Sequence, residues 1–248
     1  SERRIKLIFM NNTIILIPSR LAATRLPNKP LLKINDKSII NHVYEKASSA
    51  EVGDVYVATG DIEIYEEVIK NGGKSILTKE KHNTGTDRIY EAYKIINNKK
   101  IEYVINLQGD EPMINIEDIK NLHKQAINNK FEITTLASEI KNQTILNKND
   151  IVKVITEKKL SKDKTSKAKI FLRKVLENTK ENVYHHIGVY LYKVSILEKF
   201  VNLKQTKNEI LQKLEQLRAM ENNISIDVNL ANSSPIGVDT KEDYMEIK

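Results

Sequence analysis

The sequence predicts an α/β fold built on a mostly parallel, Rossmann-like sheet with helices on both faces. Three observations carry that expectation. Short β-branched apolar runs recur through the first half of the chain, at Thr13–Ile17, Val55–Thr59 and Tyr103–Leu107. Each is followed by a loop and then by a segment of helical periodicity, and that alternation is the pattern of βα units. The chain, 248 residues long, is of a size for one such domain carrying an insertion.

In chain order, Thr13–Ile17 reads as a buried strand stopped by Pro18, followed by a loop containing Pro27 and Pro30. A helix over Ser38–Ala50 leads to the second strand, ended by Gly60. Residues Ile62–Asn71 read as a helix closed by Gly72 and Gly73. A brief strand Ser75–Leu77, a helix Asp87–Asn97, the third strong strand and a helix Ile116–Asn128 complete the first half. After about residue 133 the pattern changes to strand-like pieces at Ile133–Ala137, Val152–Ile155 and Ile187–Tyr192. We read residues 133–205 as an antiparallel insertion within one domain, 13–248. The lysine-rich stretch Glu157–Asn182 has no readable period. A helix Asn208–Asn222 and a strand Ser225–Val228 follow. Residues 1–12 are expected to be an extension.

There are no cysteines, which excludes disulfides, thiolate metal sites and a cysteine nucleophile and fits a reducing compartment such as the cytoplasm. No segment approaches the ~20 apolar residues of a membrane span. The net charge of +7, from 40 basic and 33 acidic residues, raises nucleic-acid binding. The lysines, however, are scattered among asparagines on predicted helix surfaces, without a basic helix interleaved with aromatics. Only seven of the basic residues are arginine. In a chain that prefers lysine, each internal arginine points mildly to bidentate recognition of phosphate or carboxylate.

Ligands of a doubly wound sheet bind at the carboxyl ends of its strands. After the first strand lies Pro18–Pro30, where Arg20, Arg25 and Lys29 sit in a proline-stiffened loop without the Walker pattern. It suits a polyphosphate, or it is a basic surface loop. After the third strand comes Gln108-Gly-Asp-Glu-Pro112, where Asp110 is a candidate Mg²⁺ ligand or part of an acidic helix-capping turn. Asp239, in Gly237-Val-Asp-Thr240, could supply a second carboxylate or simply open a helix. Thr84-Gly-Thr-Asp-Arg88 resembles a helix entry with free amides for an anion. Of His185 and His186, on opposite faces of a strand, one faces a polar pocket; His42, His82 and His123 show no ligand spacing and read as incidental.

The order and wording of these segments resemble the sugar nucleotidyltransferases and, among them, the 3-deoxy-manno-octulosonate cytidylyltransferases (CMP-Kdo synthetases). The segments are Ile17-Pro-Ser-Arg20 with Thr24-Arg-Leu-Pro-Asn-Lys-Pro30, Val57-Ala-Thr59, Gly85-Thr-Asp-Arg88 and Asn106-Leu-Gln-Gly-Asp-Glu-Pro112. His186-Ile-Gly-Val-Tyr190, Leu214-Glu-Gln-Leu-Arg218 and Gly237-Val-Asp-Thr-Lys-Glu-Asp243 complete them. The resemblance implies transfer of a cytidylyl group from CTP to Kdo in lipopolysaccharide biosynthesis, with Mg²⁺, in a homodimer joined through the insertion. It implies CTP contacts at Arg20, Arg25, Lys29, Thr84, Gly85 and Asp110, of which Arg20, Lys29 and Asp110 act in catalysis with Asp239. The metal falls to Asp110 and Asp239. The acid sugar falls to Arg88, Gln108, His186, Tyr190, Glu215 and Gln216. Two departures stand out: Asn28 replaces a usual glycine, and Ile170-Phe-Leu-Arg173 replaces an aromatic-Ser-Arg segment. Competing readings are a cytidylyltransferase for another acid sugar, a basic nucleic-acid-binding protein, or an inactive homologue.

Overall fold

The structure is a computed structural model and describes residues 12–22, 25–79, 81–175, 179, 182–235 and 237–248. The expected N-terminal extension lies almost entirely outside them, as does Thr24 of the basic loop. The chain forms two compact units, the first made of residues 1–120 and 235–248 and the second of residues 121–234.

The first unit is a parallel sheet in the order β5-β4-β1-β6, with β1 Thr13–Ser19, β4 Asp54–Thr59, β5 Ser75–Leu77 and β6 Tyr103–Asn106. All seven residues of β1 are buried, as its unbroken β-branched run requires of a central parallel strand. The strand runs through Pro18 rather than stopping before it. Beyond Leu16 it pairs only with β4, so the missing proline N–H falls where one side is already open. Two short strands, β2 Lys33–Ile34 and β3 Lys37–Ser38, form a hairpin ahead of helix α1, Ile39–Ser49. Helices α2, Ile62–Lys70, and α3, Gly85–Ile96, follow β4 and β5, and α1 and α3 pack on β1 and β4. Helix α4, Ile116–Asn129, carries the chain into the second unit.

In the second unit, β10 (Asn182–Lys193), β7 (Ile133–Ser138), β11 (Ile226–Leu230), β9 (Ser166–Leu172) and β8 (Lys153–Thr156) pair in that order, and β8 returns to β10. All pairings are antiparallel except β11 with β7. Strand β9 occupies the lysine-rich stretch that showed no period. Helix α5, Val194–Val201, was not expected. The predicted helix 208–222 is two helices, α6 Lys207–Gln212 and α7 Gln216–Glu221. They part at Lys213, whose φ of 53° is left-handed. Arg173 holds that break: its Nε, Nη1 and Nη2 donate to the carbonyls of Gln212, Asn149 and Lys213. A guanidinium fork forty residues away thus satisfies the carbonyls that a helix end leaves open. Residues 235–248 rejoin the first unit and end in α8, Lys241–Ile247. Among the described residues no helix is long and apolar enough to cross a membrane.

Candidate active site

In the first unit a cavity of about 370 Å³ opens at the carboxyl ends of β1 and β6. Its lining brings together Arg20, Arg25, Lys29, Thr84, Gly85, Arg88, Gln108, Asp110 and Asp239 from four separate loops. Backbone geometry explains the convergence. Gly109 is tightly placed: a Cβ there would lie 3.0 Å from the Pro18 carbonyl oxygen, closer than side chains ordinarily pack. The turn after β6 can therefore press against the end of β1. Asn28 stands at φ 55°, ψ 22° as the N-cap of a 3₁₀ turn, Lys29–Leu31. Asparagine tolerates this left-handed geometry, which accounts for its standing where glycine is usual.

That turn aims Lys29 at two carboxylates. Its Nζ donates to Asp110 Oδ2 at 2.7 Å and to Asp239 Oδ1 at 3.0 Å. Arg25 Nη2 donates to Asp239 Oδ2 at 2.9 Å. The amide of Val238 donates to the Asp110 carbonyl at 2.9 Å, tying the two acidic loops together. Burial alone would lower the Lys29 pKa, but the Asp110 and Asp239 charges more than reverse it and hold the ammonium above its ordinary value. Glu111, beside the pair, is pushed up to about 8, by burial first and then by the charges of Asp110 and Asp239. Its Oε2 is buried and has no hydrogen-bond partner among the described residues. Burial beside two other carboxylates disfavours the charged form of Glu111.

The opposite wall is the entry to α3. Thr84 Oγ1 accepts from the Asp87 amide and caps the helix. Arg88, one turn in, donates from Nη1 to Thr78 Oγ1 and to the Lys79 carbonyl, so part of its fork is committed to the loop before the helix. His82 also lines the cavity, with Nε2 2.5 Å from Glu91 Oε2, and Glu91 accepts the Lys79 amide as well. Read in sequence, His82 looked incidental. Glu91 lies nine residues on, inside the helix, and no ligand spacing marks the pairing.

Four of the predicted residues lie in the second unit. On β10, His186 Nε2 is 3.0 Å from Thr135 Oγ1, whose hydroxyl also contacts the carbonyls of Ile187 and Val189. Burial, then the neighbouring His185, drives the His186 pKa down to about 3, so the ring is neutral. Its partner residue His185 turns to Ser234. The rings of Phe171, His186, Tyr190 and Tyr192 follow one another at centroid separations of 5.0, 5.4 and 5.8 Å. The Tyr190 hydroxyl is raised well above its usual range, chiefly by burial and then by Tyr192 and Glu215, and among the described residues it has no hydrogen bond of good geometry. Glu215 and Gln216 begin α7, where Glu215 lies 3.8 Å from Arg218. Arg218 itself grips Glu209 through both Nε and Nη2 and sits 4.8 Å over the Phe200 ring.

The family model described as cytidylyltransferase matches residues 14–226. The chain belongs to the cytidylyltransferase family. A 3-deoxy-manno-octulosonate cytidylyltransferase of Rhodopseudomonas palustris (strain BisB5) is 42% identical over 93% of this chain and 94% of its own length. One of Rickettsia canadensis (strain McKiel) is 37% identical over 95% and 94%. Among solved structures, a CMP:2-keto-3-deoxy-manno-octonic acid synthetase complexed with CTP superposes with a TM-score of 0.86 at 33% identity, covering 95% and 96% of the two chains. An apo UDP-glucose pyrophosphorylase, at a TM-score of 0.68 and 18% identity, shares the fold. The mixed α/β architecture is thus that of the family's nucleotidyltransferases.

The candidate site brings in two residues that nothing in the sequence marked, His82 in the cavity lining and Glu111 beside the two aspartates. Among the described residues no set of three or more His, Cys, Asp or Glu side chains is arranged to hold a metal ion.

Proposed function

We propose that this chain joins CTP to 3-deoxy-manno-octulosonate, releasing pyrophosphate and forming CMP-Kdo for lipopolysaccharide biosynthesis. The observation that carries the reading is the Lys29 ammonium shared by Asp110 and Asp239 in a cavity lined by Arg20, Arg25 and the entry of α3. The whole-length likeness to curated cytidylyltransferases for this sugar supports it.

The anomeric hydroxyl of the sugar attacks the α-phosphorus, an O–P bond forms, and the bond to the β-phosphate oxygen breaks as pyrophosphate leaves. Charge gathers on non-bridging oxygens, so fixed cations and amides do most of the catalysis. Arg20 and Arg25 take the β- and γ-phosphates, and the amides around Thr84 and Gly85 face the nucleotide. Lys29 leaves its carboxylates for the α-phosphate, an exchange its flexible stem permits.

The donor set fits Mg²⁺. Asp110 Oδ2 and Asp239 Oδ1 converge on one cation at 2.7 and 3.0 Å, and a hard ion of this kind takes one or two carboxylates with phosphate oxygens. Bound there, it would neutralise phosphate charge and lower the pKa of the sugar hydroxyl. Lys29 and a divalent ion compete for the same oxygens, so nucleotide must draw the lysine away first.

In the first unit we assign Arg88 and Gln108 to the acid sugar. In the second, His186, Tyr190, Glu215 and Gln216 take the same assignment, His186 as a neutral hydrogen-bonding ring rather than a counter-charge. We assign the enzyme to the cytoplasm, where its proposed substrate CTP is found, as a homodimer joined through residues 133–205; the family likeness supports both. Pyrophosphate release with CTP, Mg²⁺ and Kdo tests the reading, run against sialic acid, other nucleotides and Asp110→Ala. Release only with CTP and Kdo, lost in the variant, is expected; a folded protein that binds CTP but turns over no acid sugar would refute it.

A further inference from the structure

Helix α8 is only seven residues long and contains no fully buried side chain. Packing alone gives such a helix little stability, yet its first turn is densely bonded. One oxygen of Asp243, Oδ2, accepts the amide of Asp239 at 2.9 Å and that of Thr240 at 2.8 Å. Thr240 Oγ1 accepts the Asp243 amide in return, completing a capping box. The Asp239 amide lies one residue outside the box, so its bond is not explained by capping. Further along, Tyr244 Oη donates to the Lys33 carbonyl at 2.6 Å. On the other side of Asp239, Val238 is fully buried against Leu26, Ile34 and Ile39.

Asp239 is therefore fixed from both sides, by Val238 in the core and by Asp243 in the helix. Its own carboxylate is half-exposed and pairs, among the described residues, with the side chains of Lys29 and Arg25. Once nucleotide withdraws those cations, the anchored backbone is what remains to limit where the carboxylate can point.

We propose that Asp243 is a positioning residue for Asp239: through its amide bond, the C-terminal helix sets one of the two carboxylates that receive the divalent cation. This rests on the reading of Asp239 as a metal ligand. Groups that orient a ligand in this way commonly change metal affinity by about 10–100-fold when removed. Because a single oxygen accepts both amides, asparagine can replace the aspartate at this task, and alanine cannot.

The test measures Mn²⁺ binding directly, by electron paramagnetic resonance, on the full chain with CTP present and acid sugar omitted, so that nothing turns over. Asp243→Ala is expected to weaken Mn²⁺ roughly tenfold and to lower kcat with the KM for Kdo little changed. Asp243→Asn restores the affinity to within about threefold of the parent, since the acceptor oxygen remains. Tyr244→Phe releases the helix from Lys33 without touching the Asp239 amide, and leaves Mn²⁺ binding near that of the parent. Equal binding by Asp243→Ala and the parent overturns the proposal, as does a Tyr244→Phe loss as large as that of Asp243→Ala. Asp243→Asn as weak as alanine also overturns it, because charge and not the hydrogen bond would then be at work. Asp239→Ala separates the two levels: if it too leaves Mn²⁺ affinity intact, the ligand assignment fails, whereas its loss alone sinks only the role of Asp243.

Discussion

Lys29 and Arg218 are both cations held by carboxylates, but their surroundings differ in every respect that matters for function. The Arg218 and Glu209 side chains are each 4% exposed, joined by two hydrogen bonds, and the guanidinium lies over Phe200. Lys29 is 13% exposed, and its partners Asp110 and Asp239 are 33% and 50% exposed at the wall of a cavity. A fork locked into a buried carboxylate is not readily exchanged, and breaking the pair strands a charge. A point charge on a flexible stem, facing solvent-accessible oxygens, can be traded for a phosphate. The Arg218 pair serves the shape of the second unit, and the Lys29 pair keeps its charges available for exchange.

The largest effect should come from the locked pair. Arg218→Ala leaves the buried Glu209 without its counter-ion, with only Gln205 and the Thr206 amide still donating to it, and should lower unfolding free energy by roughly 3–5 kcal/mol in urea titrations. A loss under about 1 kcal/mol would erase the contrast. Next, Asp110→Asn should reduce kcat on the order of 10²–10³-fold in a pyrophosphate assay, the scale for losing one group that organises developing charge. Its melting temperature should hardly move, because the charge it removes is exchangeable.

A third outcome concerns pH. His186 has a folded pKa of about 3 against an ordinary 6.5. Between those values the unfolded chain binds the proton and the folded chain does not. Stability from this residue is thus complete above about pH 6.5 and falls as the pH drops toward 3, by at most about 1.4 kcal/mol per pH unit. His186→Gln should flatten that acid limb, and parallel curves for the two proteins would show the ring to be charged or exposed. The smallest effect belongs to Lys29→Met. Without nucleotide, the vacated carboxylates should bind Mn²⁺ several-fold more tightly than the parent does, while CTP binding weakens. Unchanged metal binding would mean that the lysine is no obstacle to the ion.

The contrast also marks what sequence could disclose. Strands β1, β4 and β6 are legible because buried parallel strands require continuous β-branched runs, and the loops that follow them carry Arg20, Lys29 and Asp110 in plain view. The break between α6 and α7 was not legible, because the helical period runs through Lys213 and the interruption depends on Arg173, forty residues upstream. Strand β9 was hidden by its two exposed lysines, Lys167 and Lys169, whose side chains report solvent and not pairing. His82 was passed over for a similar reason: its place at the cavity depends on Glu91, reached only once α3 has folded.

Asn28 touches no part of the carboxylate pair, yet it limits how this protein can drift. With φ at 55° immediately before Lys29, the position admits glycine, asparagine or aspartate readily and penalises β-branched residues severely. A library randomised at residue 28 would therefore show the narrow tolerance usually taken as the mark of a substrate contact. The selection would act on a backbone angle, and a survey of variants that equated intolerance with chemistry would assign this asparagine a reaction it does not take part in.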